Sequence, residues 1–150
     1  MTETLRAAAQ HEGAALIEIY QNCPVFNDGA FGALTEKGVK DANQIRLQAG
    51  KPIRFGPQAE RGVARGPDGA LRIVDVAEVG EDALVVHDPG DPGLAYALAR
   101  LADDPSGPTP IGIFRDVERP VYGRGRPQPE PPSDNELAEL LQAGDTWTVA

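Results

Sequence analysis

Cys23 is the only cysteine in the chain, and it sits in EIYQNCPVFNDGAF, residues 18–31. A thiol can act as a nucleophile, a redox group or a metal ligand, and each role needs different company. A nucleophile or redox switch needs a depressed pKa, supplied by cationic neighbours or a helix N-terminus. The nearest charged residues in sequence, Glu18 and Asp28, are acidic. A tetrathiolate iron–sulfur site needs four thiolates, and this chain offers one. The bland alternative is a buried, inert thiol, the commonest fate of a free cysteine. Pro24 stiffens the backbone beside the sulfur, and Asn22, Asn27, Asp28 and Gly29 are polar or turn-forming. Asn27 and Asp28 are candidates for cofactor contacts and equally for an Asx-type turn.

Other chemistry is sparse. The two serines, Ser106 and Ser133, fall in a Pro/Gly loop and at a helix start, which leaves no serine triad. His87, Asp88 and Asp91 in HDPGD read as a turn after a strand before they read as a metal site. His11 suits the end of a helix, where a cation complements the dipole. The G-x-G of YGRGRP lacks the strand–turn–helix setting of a phosphate loop.

The elements that must position Cys23 come just before it. Residues 2–11 predict a short helix, with Thr2 or Thr4 as cap and Gly13 as its stop. AALIEIY, Ala14 to Tyr20, is almost continuously apolar and predicts a strand covered on both faces, as in a parallel sheet. Cys23 would then lie beyond the carboxyl end of that strand, where α/β folds gather ligands.

After Phe31 the pattern turns to β with tight turns. Short extended runs are expected at 44–48 and 52–55, and a hairpin around Pro67-Asp68-Gly69, where Pro presets φ and Gly tolerates positive φ. DALVVHD predicts another strand and PTPIGIFRDV a last extended segment. In PGLAYALARLA, residues 92–102, Leu94, Leu98 and Leu101 mark one helical face. GRGRPQPEPP, residues 123–132, reads as a Pro-rich linker. A final helix follows, with a Ser133–Glu136 capping box and Gly144 as its stop.

Composition sets outer bounds. The 150 residues carry a net charge of −9, and the excess lies wholly in the second half. Residues 76–150 hold fourteen acids and five bases, against nine of each in residues 1–75. That balance argues against nucleic-acid binding. No run approaches the ~18 apolar residues of a membrane span, and the N-terminus lacks the basic and apolar regions of a signal peptide. With one cysteine and no internal disulfide, a cytoplasmic protein is expected.

GAALIEIYQNCPVFNDGAF resembles the beta subunit of 2-oxoacid:ferredoxin oxidoreductases, in particular the 2-oxoglutarate branch. The likeness continues in order through IRLQAGKPIRFG, VAEVGEDALVVHD, YALARLAD, TPIGIFRDVERPVY and GDTWTV, and so covers essentially the whole chain. The resemblance implies an enzyme that decarboxylates a 2-oxoacid oxidatively, passes the acyl group to coenzyme A and the electrons to ferredoxin. It implies thiamine diphosphate with magnesium and one [4Fe–4S] cluster in the beta subunit, an alpha subunit as partner, and Cys23 as the cluster's fourth cysteine ligand. The G-D-G-D signature that holds magnesium and diphosphate has no counterpart here; Gly90-Asp91 and Gly144-Asp145 sit in loops. The expected fold is therefore α/β to α+β. Residues 1–28 resemble the last helix and strand of a thiamine diphosphate-binding domain, residues 29–123 the extension that follows that domain in the beta subunit, and residues 124–150 a Pro-rich linker and helix. On this reading the chain is the C-terminal portion of a beta subunit, is not catalytic alone, and partners with the rest of that subunit. The alternative is a non-catalytic acidic binding or assembly module, and a thiol redox switch is a third reading.

Overall fold

The computed structural model describes residues 1–104, 107–125 and 134–144. The chain divides into two units, Met1–Arg119 and Pro120–Ala150.

The first unit opens with helix α1, Thr2–Gln10. Its N-cap is Met1, with no side-chain cap, so neither Thr2 nor Thr4 takes that role. Two single-turn helices follow, α2 (Gly32–Thr35) and α3 (Lys40–Asn43). Strand β1, Gln44–Arg46, runs directly out of α3. Strands β2 (Arg54–Phe55), β3 (Arg61–Arg65) and β4 (Leu71–Asp75) form an antiparallel sheet in chain order. Helix α4 (Val76–Val79) is capped by the Asp75 carboxylate, which accepts from Ala77 N at 2.8 Å. Helix α5 (Pro92–Ala99) has Pro92 in its first turn and Asp91 as its cap. Strand β5, Thr109–Ile111, pairs in parallel with β1, Ile45 opposite Pro110. The architecture is thus mixed, with one parallel pair, one antiparallel sheet and short helices.

The β3–β4 hairpin forms where turn chemistry places it. Gly66 N donates to Ala70 O at 2.8 Å and Gly69 N to Gly66 O at 2.9 Å. Gly69 takes φ +80°, the left-handed position that ends a three-residue hairpin loop. Asp68 locks the turn by accepting from Ala70 N at 3.2 Å and from Arg72 Nη2 at 2.8 Å.

The core gathers Ile45, Ile53, Phe55, Val63, Leu94 and Leu98, with Leu84 also buried. Leu94 and Leu98 carry the apolar face of α5, and Leu101 packs beside them half-buried. Each such side chain contributes about 1.5–3 kcal/mol by burial.

Two expected strands need correction. DALVVHD forms only isolated bridges, Ala64 to Leu84 and Pro52 to Val86, because a short 3₁₀ turn at Glu81–Ala83 takes its first residues. Residues 14–20 make no ladder at all, and Leu16 is 98% exposed. A strand is stable only when neighbours satisfy its N–H and C=O groups. Among the described residues no backbone hydrogen bond reaches 14–20.

The second unit contains helix α6, Asp134–Gln142, with Gly144 at φ +109° beyond it. Residues 126–132 of the expected Pro-rich linker (123–132), Ser106 and the Ser133 half of the capping box lie outside the described residues. Among the described residues, no helix is long and apolar enough to cross a membrane.

Candidate functional site

The loop around Cys23 is held by contacts at its base. Tyr20 and Phe31 stack with ring centroids 5.1 Å apart and planes 11° from parallel. Asn22 adds a two-ended clamp: Nδ2 donates to Asp28 Oδ1 at 2.9 Å, and Oδ1 accepts from Gly29 N at 2.9 Å. Gly29 itself stands at φ +74°, a conformation glycine adopts without steric cost. Between these anchors the chain reverses. Asn27 N donates to Cys23 O at 2.8 Å, and the two residues form an isolated antiparallel bridge.

That reversal keeps the sulfur close to the backbone of Val25, Phe26 and Asn27. The N–H groups of Phe26, then Val25, hold the Cys23 thiol below its ordinary pKa; burial opposes them, and the N–H of Asn27 adds a lesser lowering. Hydrogen bonds to the charged form favour it, so the loop is built to stabilise a thiolate. The thiol is partly exposed. Val25 and Phe26 are 80% and 91% exposed, so neither side chain folds back over the thiol. Acidic sequence neighbours gave no reason to expect a stabilised thiolate; the source is backbone dipoles. The turn-forming run C-P-x-x-N was the available signal.

Asn27 joins the turn through its backbone, and the Asp28 carboxylate is engaged by Asn22. Both therefore lie beside Cys23 as parts of its loop. Elsewhere the candidate residues have structural employment. His87 is 2% exposed, with Nε2 2.8 Å from Ile113 O and Nδ1 unpartnered. Asp88 and Asp91 accept from Gly90 N and Gly93 N, each at 2.7 Å, the second as the cap of α5. His11 lies past the end of α1, its Nδ1 3.3 Å from Asp116 Oδ1. Among the described residues, no group of three or more His, Cys, Asp or Glu side chains is placed to hold a metal.

The donor set can be weighed against the two groups that the resemblance implies. For an iron–sulfur cluster it fits as one ligand of four, a thiolate with backbone N–H groups around the sulfur. For magnesium and a diphosphate it does not fit, since no carboxylate grouping among the described residues could hold the ion.

No family model matches the sequence, and no solved structure matches it. Among curated proteins, the chain is 44% identical over 158 aligned residues to the 2-oxoglutarate oxidoreductase subunit KorB of Mycobacterium tuberculosis. The alignment takes in 99% of this chain, which spans 42% of that relative's length. The resemblance carried by the Cys23 motif and the segments after it is thus met by a relative matched along nearly all of this chain.

Proposed function

We propose that this chain, kin to the KorB subunit over 99% of its length, serves as part of the beta subunit of a 2-oxoacid:ferredoxin oxidoreductase acting on 2-oxoglutarate. Its own task is to complete an iron–sulfur site with Cys23 and to dock against the remainder of the beta subunit and the alpha subunit. The observation that carries the reading is the 44% identity to that subunit along nearly all of this chain, with the only thiol of the sequence held in a closed, clamped turn. A thiolate is the ligand form of cysteine, and amides directed at it favour that form before any metal arrives.

Each residue of the loop has a role in this reading. Cys23 supplies one thiolate, and the other three come from polypeptide outside this chain. The Val25, Phe26 and Asn27 amides stabilise charge on sulfur, and hydrogen bonds to sulfur are one lever on a cluster's potential. Asn22, Asp28 and the Tyr20–Phe31 stack keep the turn closed. When bound, an iron–sulfur cluster supplies one-electron redox chemistry. The exposed apolar run 14–20 is the surface that the rest of the beta subunit would cover, pairing its unsatisfied backbone as a strand. Thiamine diphosphate and its magnesium would be held by that partner polypeptide, with ferredoxin, coenzyme A and the 2-oxoacid engaged by the whole assembly.

The test is anaerobic iron–sulfide reconstitution of the chain, alone and mixed with a polypeptide supplying the other part of a KorB-type protein. Broad visible absorption appearing only in the mixture, and lost with Cys23→Ser, is the expected result. Absorption that survives Cys23→Ser refutes the ligand assignment.

A second reading, a non-catalytic acidic binding or assembly module, is favoured by one observation. The buried core draws its residues from Ile45 to Leu98 and none from the Cys23 loop. A module of that kind would fold and bind its partner unaffected by Cys23→Ser, with no absorption in either preparation.

A further inference from the structure

A cleft of about 340 Å³, with no residue of the Cys23 loop in its lining, has Gln44, Arg46, Gln48, Arg54 and Asp41 on its walls together with the turn that follows Phe55. Strand alternation builds it. Ile45 is fully buried, so Gln44 and Arg46 stand on the opposite side of β1. Arg54 precedes buried Phe55 in β2 and turns away from the core for the same reason.

The two guanidinium groups are set up differently. Arg54 is fixed: Nε and Nη2 donate to Ala59 O at 3.0 and 2.8 Å, and Nη1 to Glu81 Oε2 at 3.2 Å. Ala59, which accepts the fork, stands at φ +53°, the only non-glycine residue in the left-handed region among those described. Such a conformation is strained and persists where surrounding contacts over-determine it. Arg46 is open: its exposed side chain lines the cleft, Nη2 donates to Gln44 Oε1 at 2.8 Å, and its remaining donors have no partner among the described residues. The Gln48 side-chain amide has no hydrogen-bond partner among the described residues. Donors thus outnumber acceptors on the walls, where Asp41 is the one acid. Glu81, paired with Arg54, sets a second carboxylate beside the cleft, which leaves Arg46 as the guanidinium on its walls with no carboxylate partner among the described residues.

We propose that this cleft binds a small molecule through a carboxylate or phosphoryl oxyanion, gripped by Arg46 against the fixed guanidinium of Arg54. A planar guanidinium with free N–H groups matches either oxyanion in bidentate geometry. The volume sits at the lower end of small-molecule sites, about 300–1,000 Å³. The site is independent of the role assigned to Cys23.

The test uses the full chain, labelled with ¹⁵N, titrated with malonate and separately with pyrophosphate at constant ionic strength. Saturable shifts confined to amides of residues 44–48 and 54–59 are expected with at least one of the two. Which one produces them tells a carboxylate reader from a phosphoryl reader, and both together mark a general oxyanion site. Arg46→Gln, at an exposed position that should leave the fold intact, is expected to weaken binding at least about tenfold. Lys51→Gln, which removes a nearby charge from outside the cleft, should leave the affinity unchanged. No saturable shift with either anion, or equal binding by Arg46→Gln, overturns the proposal. So does an equal loss in Lys51→Gln, which would reduce the effect to nearby charge alone.

Discussion

Asn22→Ala isolates what the loop does to its thiol. The substitution removes both ends of one clamp, the bond from Nδ2 to Asp28 Oδ1 and the bond from Gly29 N to Oδ1. A net hydrogen bond is worth about 0.5–1.5 kcal/mol, and exposed ones lie at the low end, so the pair holds the loop closed by about 1–2 kcal/mol. Losing that opens the loop about 5–30-fold more often. The Phe26, Val25 and Asn27 amides then spend less time on the sulfur. The thiol pKa should rise toward that of a free cysteine, about 8.5. The assay is the pH dependence of iodoacetamide alkylation. The native chain should react with a midpoint below that of free cysteine, and Asn22→Ala with a midpoint moved upward. Thermal stability should hardly change, since no residue of the loop belongs to the core. An unmoved midpoint would refute the claim that the clamp delivers the amides to the thiol. A large fall in melting temperature would refute the separation of loop from core.

The remaining predictions concern the scaffold. Gly62→Ala should destabilise by about 1–3 kcal/mol in urea unfolding: a Cβ there would lie 2.6 and 3.0 Å from the Leu84 methyls and 3.3 Å from Ile53 O. Backbone entropy alone predicts the opposite sign, a gain of about 0.5–1 kcal/mol, so a stabilised variant would show that Leu84 yields. The backbone N–H of Ala70, then Arg72, holds the Asp68 carboxyl below its usual range. A group depressed in the folded state stabilises above its unfolded pKa of about 3.9 and loses that contribution as pH falls through the folded value. Asp68→Asn should therefore lower the urea midpoint at neutral pH and match the native chain in strong acid; equal midpoints at every pH would dismiss the turn lock. Amide hydrogen exchange in the isolated chain should be fast across residues 14–20 and slow across the β3–β4 hairpin. Equal protection in the two stretches would contradict the exposed, unpaired state of the first.

Legibility followed locality. The hairpin was readable because Pro67, Asp68 and Gly69 make their turn from their own backbone preferences and one side-chain lock. Helix α5 was readable because its i, i+4, i+7 leucines and its Asp91-Pro92 start are features of one segment. The pairing of β1 with β5 was not, because Gln44–Arg46 and Thr109–Ile111 are joined only by long-range contacts that no local pattern encodes. DALVVHD misled for a related reason. Its apolar alternation is real, but a 3₁₀ turn takes Glu81–Ala83, and the rest threads between segments through isolated bridges.

The candidate site divides along the same line. A single cysteine in a Pro-containing turn singled out the position, and the Asn22, Asn27, Asp28 and Gly29 run announced a turn. What the charges around it could not show is the electrostatic outcome. Glu18 and Asp28 suggest a thiol pushed up, whereas the backbone N–H groups of Phe26 and Val25 hold it down, and the Asp28 carboxylate is occupied by Asn22. The run 14–20 is the instructive failure. Its apolar continuity encodes a strand only relative to neighbours on both edges, and none is supplied among the described residues. The same pattern that predicts burial therefore leaves Leu16 almost fully exposed, immediately before the loop that carries Cys23. On the proposed function, covering that run and completing the site at Cys23 would fall to one partner polypeptide, because only Gln21 and Asn22 separate the end of the run from the thiol.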